Sequence, residues 1–293
     1  FFSSLLTPLI LLFLFFTFLR NIYIDGFKSA FPPELTIDNG ILNGIAGAWL
    51  LSSILSVSSV TVAFCANMVM VDDKISFAVN DFKISPVKPT TISLSYFISN
   101  FFVTFLIMVC VLVLGSIYLA VVGWYLSVAD FFLIIAGCIS NILFGTLLSS
   151  IVLCFVSTVG VQSAVATLVS ALYGFICGAY MPVASFSKGL RNVLGLLPGT
   201  YGTSIMRNHC MGGYFEALKN AGVPTEAING IKDNFDVNIY LFDNKIEIGT
   251  MYGILLGTCA ILLIAYVMIV TLRNKNIDLK SLFKKLKRTN NPA

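Results

Sequence analysis

A long stretch without ionisable side chains is the feature of this sequence that most constrains its fold. Residues 131–187 contain no Asp, Glu, Lys, Arg or His. A helix needs roughly 20 apolar residues to cross the hydrocarbon core of a bilayer, and this stretch is far longer. Only helices and closed barrels satisfy their backbone polar groups within lipid. The stretch therefore predicts two spanning helices joined by a short uncharged turn.

The rest of the chain extends this pattern. Hydrophobic residues make up 57% of the 293 residues and charged residues 11%, against roughly 25% charged in a soluble domain. The apolar runs do not alternate with polar residues as barrel strands do. We predict an all-α integral membrane protein whose transmembrane domain, residues 1–272, has six transmembrane helices, at 1–19, 41–66, 92–122, 131–156, 162–183 and 248–272.

The two ends of the chain bear on its topology. The sequence begins with Phe1, so we expect a leading segment to precede it, and we interpret 1–19 as a true span because no small-residue cleavage site follows promptly. The basic tail, residues 273–293, holds the densest Lys and Arg cluster in the chain. Cytoplasmic segments carry such an excess. We therefore expect both termini and residues 67–91 to be cytoplasmic, and residues 184–247 to form an outer segment.

Two connections carry patterns of their own. Residues 72–86 predict a short helix, which Asp72 and Asp73 begin and Pro86 ends; it is either a coupling helix that docks into a partner or a solvated loop helix. Residues 178–206 are too apolar for a solvated loop and too interrupted for a span. They predict an outer re-entrant helical hairpin between spans five and six, or else an amphipathic helix lying on the surface.

Rows of small residues recur at every fourth position, at Gly174 and Gly178 and at Gly249, Gly253 and Gly257. Such rows let helices approach closely. We favour packing within one subunit, with a contact between subunits as the alternative.

Motifs for bond chemistry are missing from the sequence. There is no P-loop and no metalloprotease or serine-hydrolase signature, and His209 is the one histidine. The seven cysteines do not show metal-ligand or disulfide spacing. Charged residues stay outside the predicted spans, which argues against a proton-coupled carrier. We expect no catalytic residue, no metal and no nucleic-acid partner.

Several segments, in this order, resemble the ABC-2 type permeases of bacterial ATP-driven exporters. They are the start of the chain at residues 2–10 (FSSLLTPLI), residues 81–87 (DFKISPV), residues 178–182 (GAYMP) and residues 197–201 (LPGTY). The first resembles that family's first span, the second the end of its coupling helix, and the last two its outer re-entrant element. The likeness covers essentially the whole chain.

The resemblance implies a mechanism and its residues. Two permease subunits, identical or different, would sit in the bacterial cytoplasmic membrane above two separate ATPase subunits. ATP and Mg would be bound by those ATPases, with no cofactor on this chain. Coupling to the ATPase would fall to Asp72, Asp73, Lys74, Phe77, Asp81 and Phe82. A substrate path or gate would involve Tyr173, Phe175, Tyr180, Met181 and Pro182.

The expected function is export of an amphipathic substrate such as a drug, a peptide or a lipid-like molecule. One alternative is a carrier or channel that needs no ATPase. Another is a lipid-handling membrane enzyme, for which only residues 185–201 offer candidate groups. Residues 212–247 suggest no particular role.

Overall fold

The computed structural model describes residues 2–14, 17–18, 20–29, 38–84, 87–242 and 244–289. Side chains are described as far as residue 272, except at residues 2–7, 82, 83 and 89. The elements are α1 (Phe2–Leu14), α2 (Arg20–Ser29), α3 (Asn39–Asn67), α4 (Val69–Ile75), α5 (Ala78–Ile84), α6 (Pro89–Val122), α7 (Val128–Cys154), α8 (Val159–Ile176), α9 (Lys188–Leu194), α10 (Pro198–Asn220), α11 (Thr225–Asn234), β1 (Ile239–Leu241), β2 (Asn244–Ile246) and α12 (Ile248–Thr289).

Among the described residues, five helices are long and apolar enough to cross a membrane. They cover Asn39–Ile75, Thr90–Val122, Val128–Cys154, Val159–Ile176 and Ile248–Leu272, and each overlaps one predicted span. The remaining predicted span, 1–19, lies partly outside the described residues. Its described helix, α1, has 13 residues and contains Pro8.

Helix α3 forms the centre of the bundle and packs against α1, α2, α6, α7, α8 and α10. It is buried on nearly all sides, and small side chains let its neighbours approach closely. At Gly145 on α7, an added Cβ would lie 2.5 Å from the backbone oxygen of Ser59 in α3. Several hydroxyl groups along α3 donate to carbonyls one turn back, as Ser56 does to Ser52 at 2.8 Å, which satisfies these donors in the buried helix. Ser58 Oγ is buried without such a bond.

Contacts between helix ends show which ends lie on the same side of the bundle. Lys74 of α4 bonds the last carbonyls of α7, and Tyr266 of α12 donates to the backbone oxygen of Ser93 near the start of α6. We call this side of the bundle the α4 end. At the opposite end, Tyr214 of α10 donates to the backbone oxygen of Gly123. Helix α10 starts about midway, where Asn141 of α7 donates to the oxygen of Gly202.

Three segments differ from what the sequence predicts. Residues 20–29, which follow the first predicted span, form helix α2, although no helix is predicted there. The single helix predicted over 72–86 is divided into α4 and α5, because the backbone turns left-handed at Phe77, with φ of 63°. The predicted outer segment contains an antiparallel hairpin, in which Ile239 pairs with Ile246, beside helices α9 to α11. The fold is mostly helical, which agrees with an all-α membrane protein apart from this two-stranded hairpin.

The glycine rows divide between two kinds of environment. Gly174 lies against the ring of Tyr180, so this row packs within the chain as expected. Gly249, Gly253 and Gly257 face no described atom within 4 Å of a built Cβ. The expectation of packing within one subunit is wrong for this second row, as far as the described residues go.

We expect Gly145→Ala to destabilise the protein, because its methyl group would strike the backbone of α3 rather than a movable side chain. Overpacking of this kind typically costs about 1–3 kcal/mol. The measurement is the midpoint temperature at which detergent-solubilised protein is lost from its size-exclusion peak. Gly160→Ala is the control, since nothing lies within 4 Å of that position. Equal midpoints for both variants would contradict the close approach of α3 and α7.

Candidate functional site

Helix α4 is fastened to the end of α7 by one lysine. The Nζ atom of Lys74 donates to the backbone oxygens of Leu153, Cys154 and Val156 at 2.9, 3.1 and 3.2 Å. These carbonyls belong to the last turn of α7 and the residues just after it, where intrahelical partners run out. A cation is also favoured at the negative end of a helix dipole. Lys74 therefore ties α4 to a spanning helix.

Two neighbouring aspartates tie α4 to two further spanning helices. Asp72 Oδ1 accepts a hydrogen bond from Gln162 Nε2 of α8 at 2.9 Å. Asp73 Oδ2 accepts one from the hydroxyl of Tyr96 on α6. Three consecutive side chains thus hold α4 against α6, α7 and α8. A displacement of α4 would act on all three helices through these contacts.

The side of α4 and α5 away from the bundle exposes apolar and acidic groups. Phe77, between the two helices, is 71% exposed, and Ile84 at the end of α5 is 85% exposed. Asp81 is exposed between them, while the side chain of Phe82 lies outside the described residues. An exposed aromatic residue with charged neighbours is the usual composition of a protein docking surface. We call Phe77, Asp81 and Ile84 the docking face.

Five of the six residues predicted to contact the ATPase fall into two groups by their surroundings, and the side chain of the sixth, Phe82, is not described. Asp72, Asp73 and Lys74 face the spanning helices, and Phe77 and Asp81 face away from them. Phe77 lies at the left-handed break between α4 and α5, and its side chain is exposed there.

The predicted path residues gather at the turn after α8. The Tyr180 ring packs edge-on against Phe175, with ring centroids 5.3 Å apart, and its backbone oxygen accepts a hydrogen bond from Tyr23 of α2 at 2.9 Å. Tyr173 lies against Gly199 at the start of α10. Met181 is exposed, and Pro182 is buried. The five residues are thus close together, although their side chains point in different directions.

A buried ion pair lies beside this turn. Arg207 of α10 is 0% exposed, and its Nη1 atom lies 3.1 Å from Asp236 Oδ2. Arg207 Nη2 donates to the oxygen of Gly178 at 2.6 Å and to Ser53 Oγ, near the middle of α3, at 3.3 Å. Its guanidinium also lies 4.7 Å from the ring centroid of Trp49. The pair therefore joins α3, α10 and the turn after α8.

Asp236 adds backbone contacts to this cluster. Its two carboxylate oxygens accept hydrogen bonds from the N–H groups of Val183 and Ala184, the latter at 2.9 Å. Its backbone is left-handed, with φ of 55°, a conformation that Asp adopts more readily than most residues. Burial raises the pKa of Asp236, and Arg207 and the two N–H groups oppose that rise.

Sequence reasoning did not identify this pair, because it assigned both residues to the outer segment. The two residues are separated by a helix and a loop, and nothing in either local pattern names the other as its partner. One signal was available: Arg207 follows the apolar residues Ile205 and Met206, which is unusual for a residue in a solvated loop.

The histidine of the chain, His209, lies on α10 and contacts α12. Its Nε2 atom lies 3.0 Å from the hydroxyl of Tyr252, and burial lowers its pKa. Among the residues that the structure describes, no group of three or more His, Cys, Asp or Glu side chains could hold a metal ion.

A bundle of long apolar helices with a short tethered helix pair at one end is typical of a multi-pass membrane protein. Comparison with known families shows which class it is. The chain matches the family described as ABC-2 family transporter protein over residues 27–271. It belongs to that family and is a multi-pass permease of an ABC transporter, whose partners are ABC ATPases. No curated protein and no solved structure matches significantly.

We expect Lys74→Met to lower the stability of the protein, because three carbonyls at the end of α7 lose a charged donor. A hydrogen bond to a charged group contributes about 1.5–3 kcal/mol. The midpoint temperature in detergent is the measurement, and Lys88→Met is the control, since Lys88 is exposed. If both variants melt alike, Lys74 does not fasten α4.

We expect Asp236→Asn to destabilise the protein more strongly, because it leaves the charge of Arg207 buried without its partner. Breaking one side of such a pair costs about 3–5 kcal/mol. The double variant Arg207→Met with Asp236→Asn should recover part of the lost midpoint temperature, since it removes the unpaired charge. Asp25→Asn, on an exposed residue, is the control. A double variant less stable than Asp236→Asn alone would contradict this account.

Proposed function

We propose that this permease exports an amphipathic substrate across the bacterial cytoplasmic membrane, driven by ATP hydrolysis on separate ATPase subunits. The observation that carries the proposal is that the two sides of the α4–α5 pair make different contacts. One side is bonded to α6, α7 and α8, and the other presents the docking face. An ATPase that moved the docking face would transmit that movement to three spanning helices.

The arrangement of subunits follows from the family and from one uncovered surface. We propose two ATPase subunits below two permease subunits, with ATP and Mg bound on the ATPases. The row Gly249, Gly253 and Gly257 on α12 meets no described atom of its own chain. Rows of small residues favour close helix contact in a membrane. This row is therefore our candidate for the contact with the second permease, identical or not.

The topology is proposed from the charge distribution and the docking face. The α4 end would be cytoplasmic, because ATP is there and the basic tail follows α12 toward that end. Both termini would then be cytoplasmic. The turn after α8 would form the outer re-entrant element, with Tyr173, Phe175, Tyr180, Met181 and Pro182 along the substrate path. Arg207 donates both to Gly178 in that turn and to Ser53 near the middle of α3, which supports that depth.

The test is affinity purification in mild detergent from the native cells. We expect wild-type protein to bring down an ATPase with a P-loop at near equal stoichiometry. Phe77→Asn should reduce that yield by about tenfold or more, because central aromatic residues dominate docking energies. Asn tolerates the left-handed backbone at this position.

Phe242→Asn is the matched control. Phe242 is also an exposed phenylalanine with a left-handed backbone, φ 49°, but it lies in the hairpin before α12. Its variant should keep the ATPase. Equal loss in both variants, or no loss in either, would contradict docking through Phe77. No ATPase with the wild type, even after gentle crosslinking, would favour a carrier or channel that works without one.

A further inference from the structure

A cavity of about 310 Å³ opens at the α4 end of the bundle. It lies between the end of α3, the start of α4, the first part of α6 and the start of α8. Its lining residues are Cys65, Ala66, Asn67, Met68, Val69, Asp72, Tyr96, Ser99, Asn100, Val103 and Gln162. Small-molecule sites in proteins occupy about 300–1,000 Å³, so the cavity is large enough for a compact organic molecule.

The polar groups of the cavity wall are held in place by the surrounding helices. Asn67 and Asn100 are buried, and their Nδ2 atoms donate to Ser149 Oγ of α7 at 3.4 and 3.1 Å. Asn100 Oδ1 also accepts a hydrogen bond from Thr104 Oγ1 at 3.3 Å. Fixed polar groups beside apolar ones, here Ala66 and Val103, are typical of a site that orients a ligand.

The charged side chain in the cavity wall is acidic. Asp72 is the one Asp, Glu, Lys, Arg or His among the residues that line the cavity. Its Oδ1 atom accepts a hydrogen bond from the neutral amide of Gln162, so no cation in the cavity wall neutralises it. A cation close to the Asp72 carboxylate would be attracted to it, and an anion would be repelled.

We propose that this cavity binds the substrate and that the substrate is an organic monocation with a compact apolar body. The inference rests on the proposed export function and adds the chemical class of its substrate. Asp72 supplies the counter-charge, and the apolar wall receives the body. Ser99 and Val69 are exposed at the cavity, which opens it to the surface of the bundle. Because Asp72 belongs to α4, the ligand contacts the same helix that leads to the docking face.

The test is equilibrium dialysis of radiolabelled benzyltrimethylammonium with the full chain in lipid nanodiscs, with binding to empty nanodiscs subtracted. We expect saturable binding that Asp72→Asn weakens by at least about tenfold, because the attraction to the carboxylate is lost. Asp25→Asn, an exposed aspartate on α2, should bind as the wild type does. Phenylmethanesulfonate, an anion of similar size, should not compete.

A second variant fills the cavity without touching the aspartate. Ser99→Phe places a ring at the opening and leaves the bond between Asp72 and Gln162 intact, so it should abolish binding even if Asp72→Asn folds poorly. The proposal is overturned by wild-type protein that shows no saturable binding, by a folded Asp72→Asn that binds equally well, by a Ser99→Phe that still binds, or by competition from the sulfonate. The assay contains no ATPase, so its failure is distinct from a failed copurification.

Discussion

Arg207 and Asp236 carry opposite charges into a part of the bundle that is shielded from water. Neither charge is tolerable there alone, because the cost of desolvation is several kcal/mol for each ion. The pair forms only when α10, the turn at Gly178 and the N–H groups of Val183 and Ala184 come together against α3. This requirement fixes the segment between α8 and α12 in one arrangement, which hydrophobic burial alone would leave less specific.

The same central helix links that arrangement to the α4 end. Helix α3 contacts Arg207 through Ser53 at its middle and continues to Asn67, whose amide bonds Ser149 and Ser150 of α7. Small side chains along α3 allow this close packing, as the approach of Gly145 to Ser59 shows. Helix α3 has little freedom to bend between these two fixed regions. Movement at one end is therefore expected to shift the helix as a body.

The sequence predicted those parts of the fold that depend on local composition. Apolar length marks five of the spans, because lipid imposes that length on any helix that crosses it. It could not predict the break at Phe77, since nothing in the residue type favours a left-handed backbone there. Nor could it predict the bonds of Asp72, Asp73 and Lys74, or the pairing of Arg207 with Asp236. Each of these depends on residues distant in the chain that only the packed helices bring together.

The start of helix α4 lines the cavity, and the end of α4 leads through Phe77 to the docking face. The bond from Gln162 to Asp72 is at once part of the cavity wall and one of the three tethers of α4. A cation that approached Asp72 would compete with Gln162 for the carboxylate. Tyr96, which donates to Asp73, also lines the cavity, whereas the contacts of Lys74 with the end of α7 lie outside the lining. Occupancy would thus act on the contacts of α4 with α6 and α8 and leave its contact with α7 in place. In the proposed mechanism one short helix would couple substrate and ATPase, so neither site would need a long path through the bundle to influence the other.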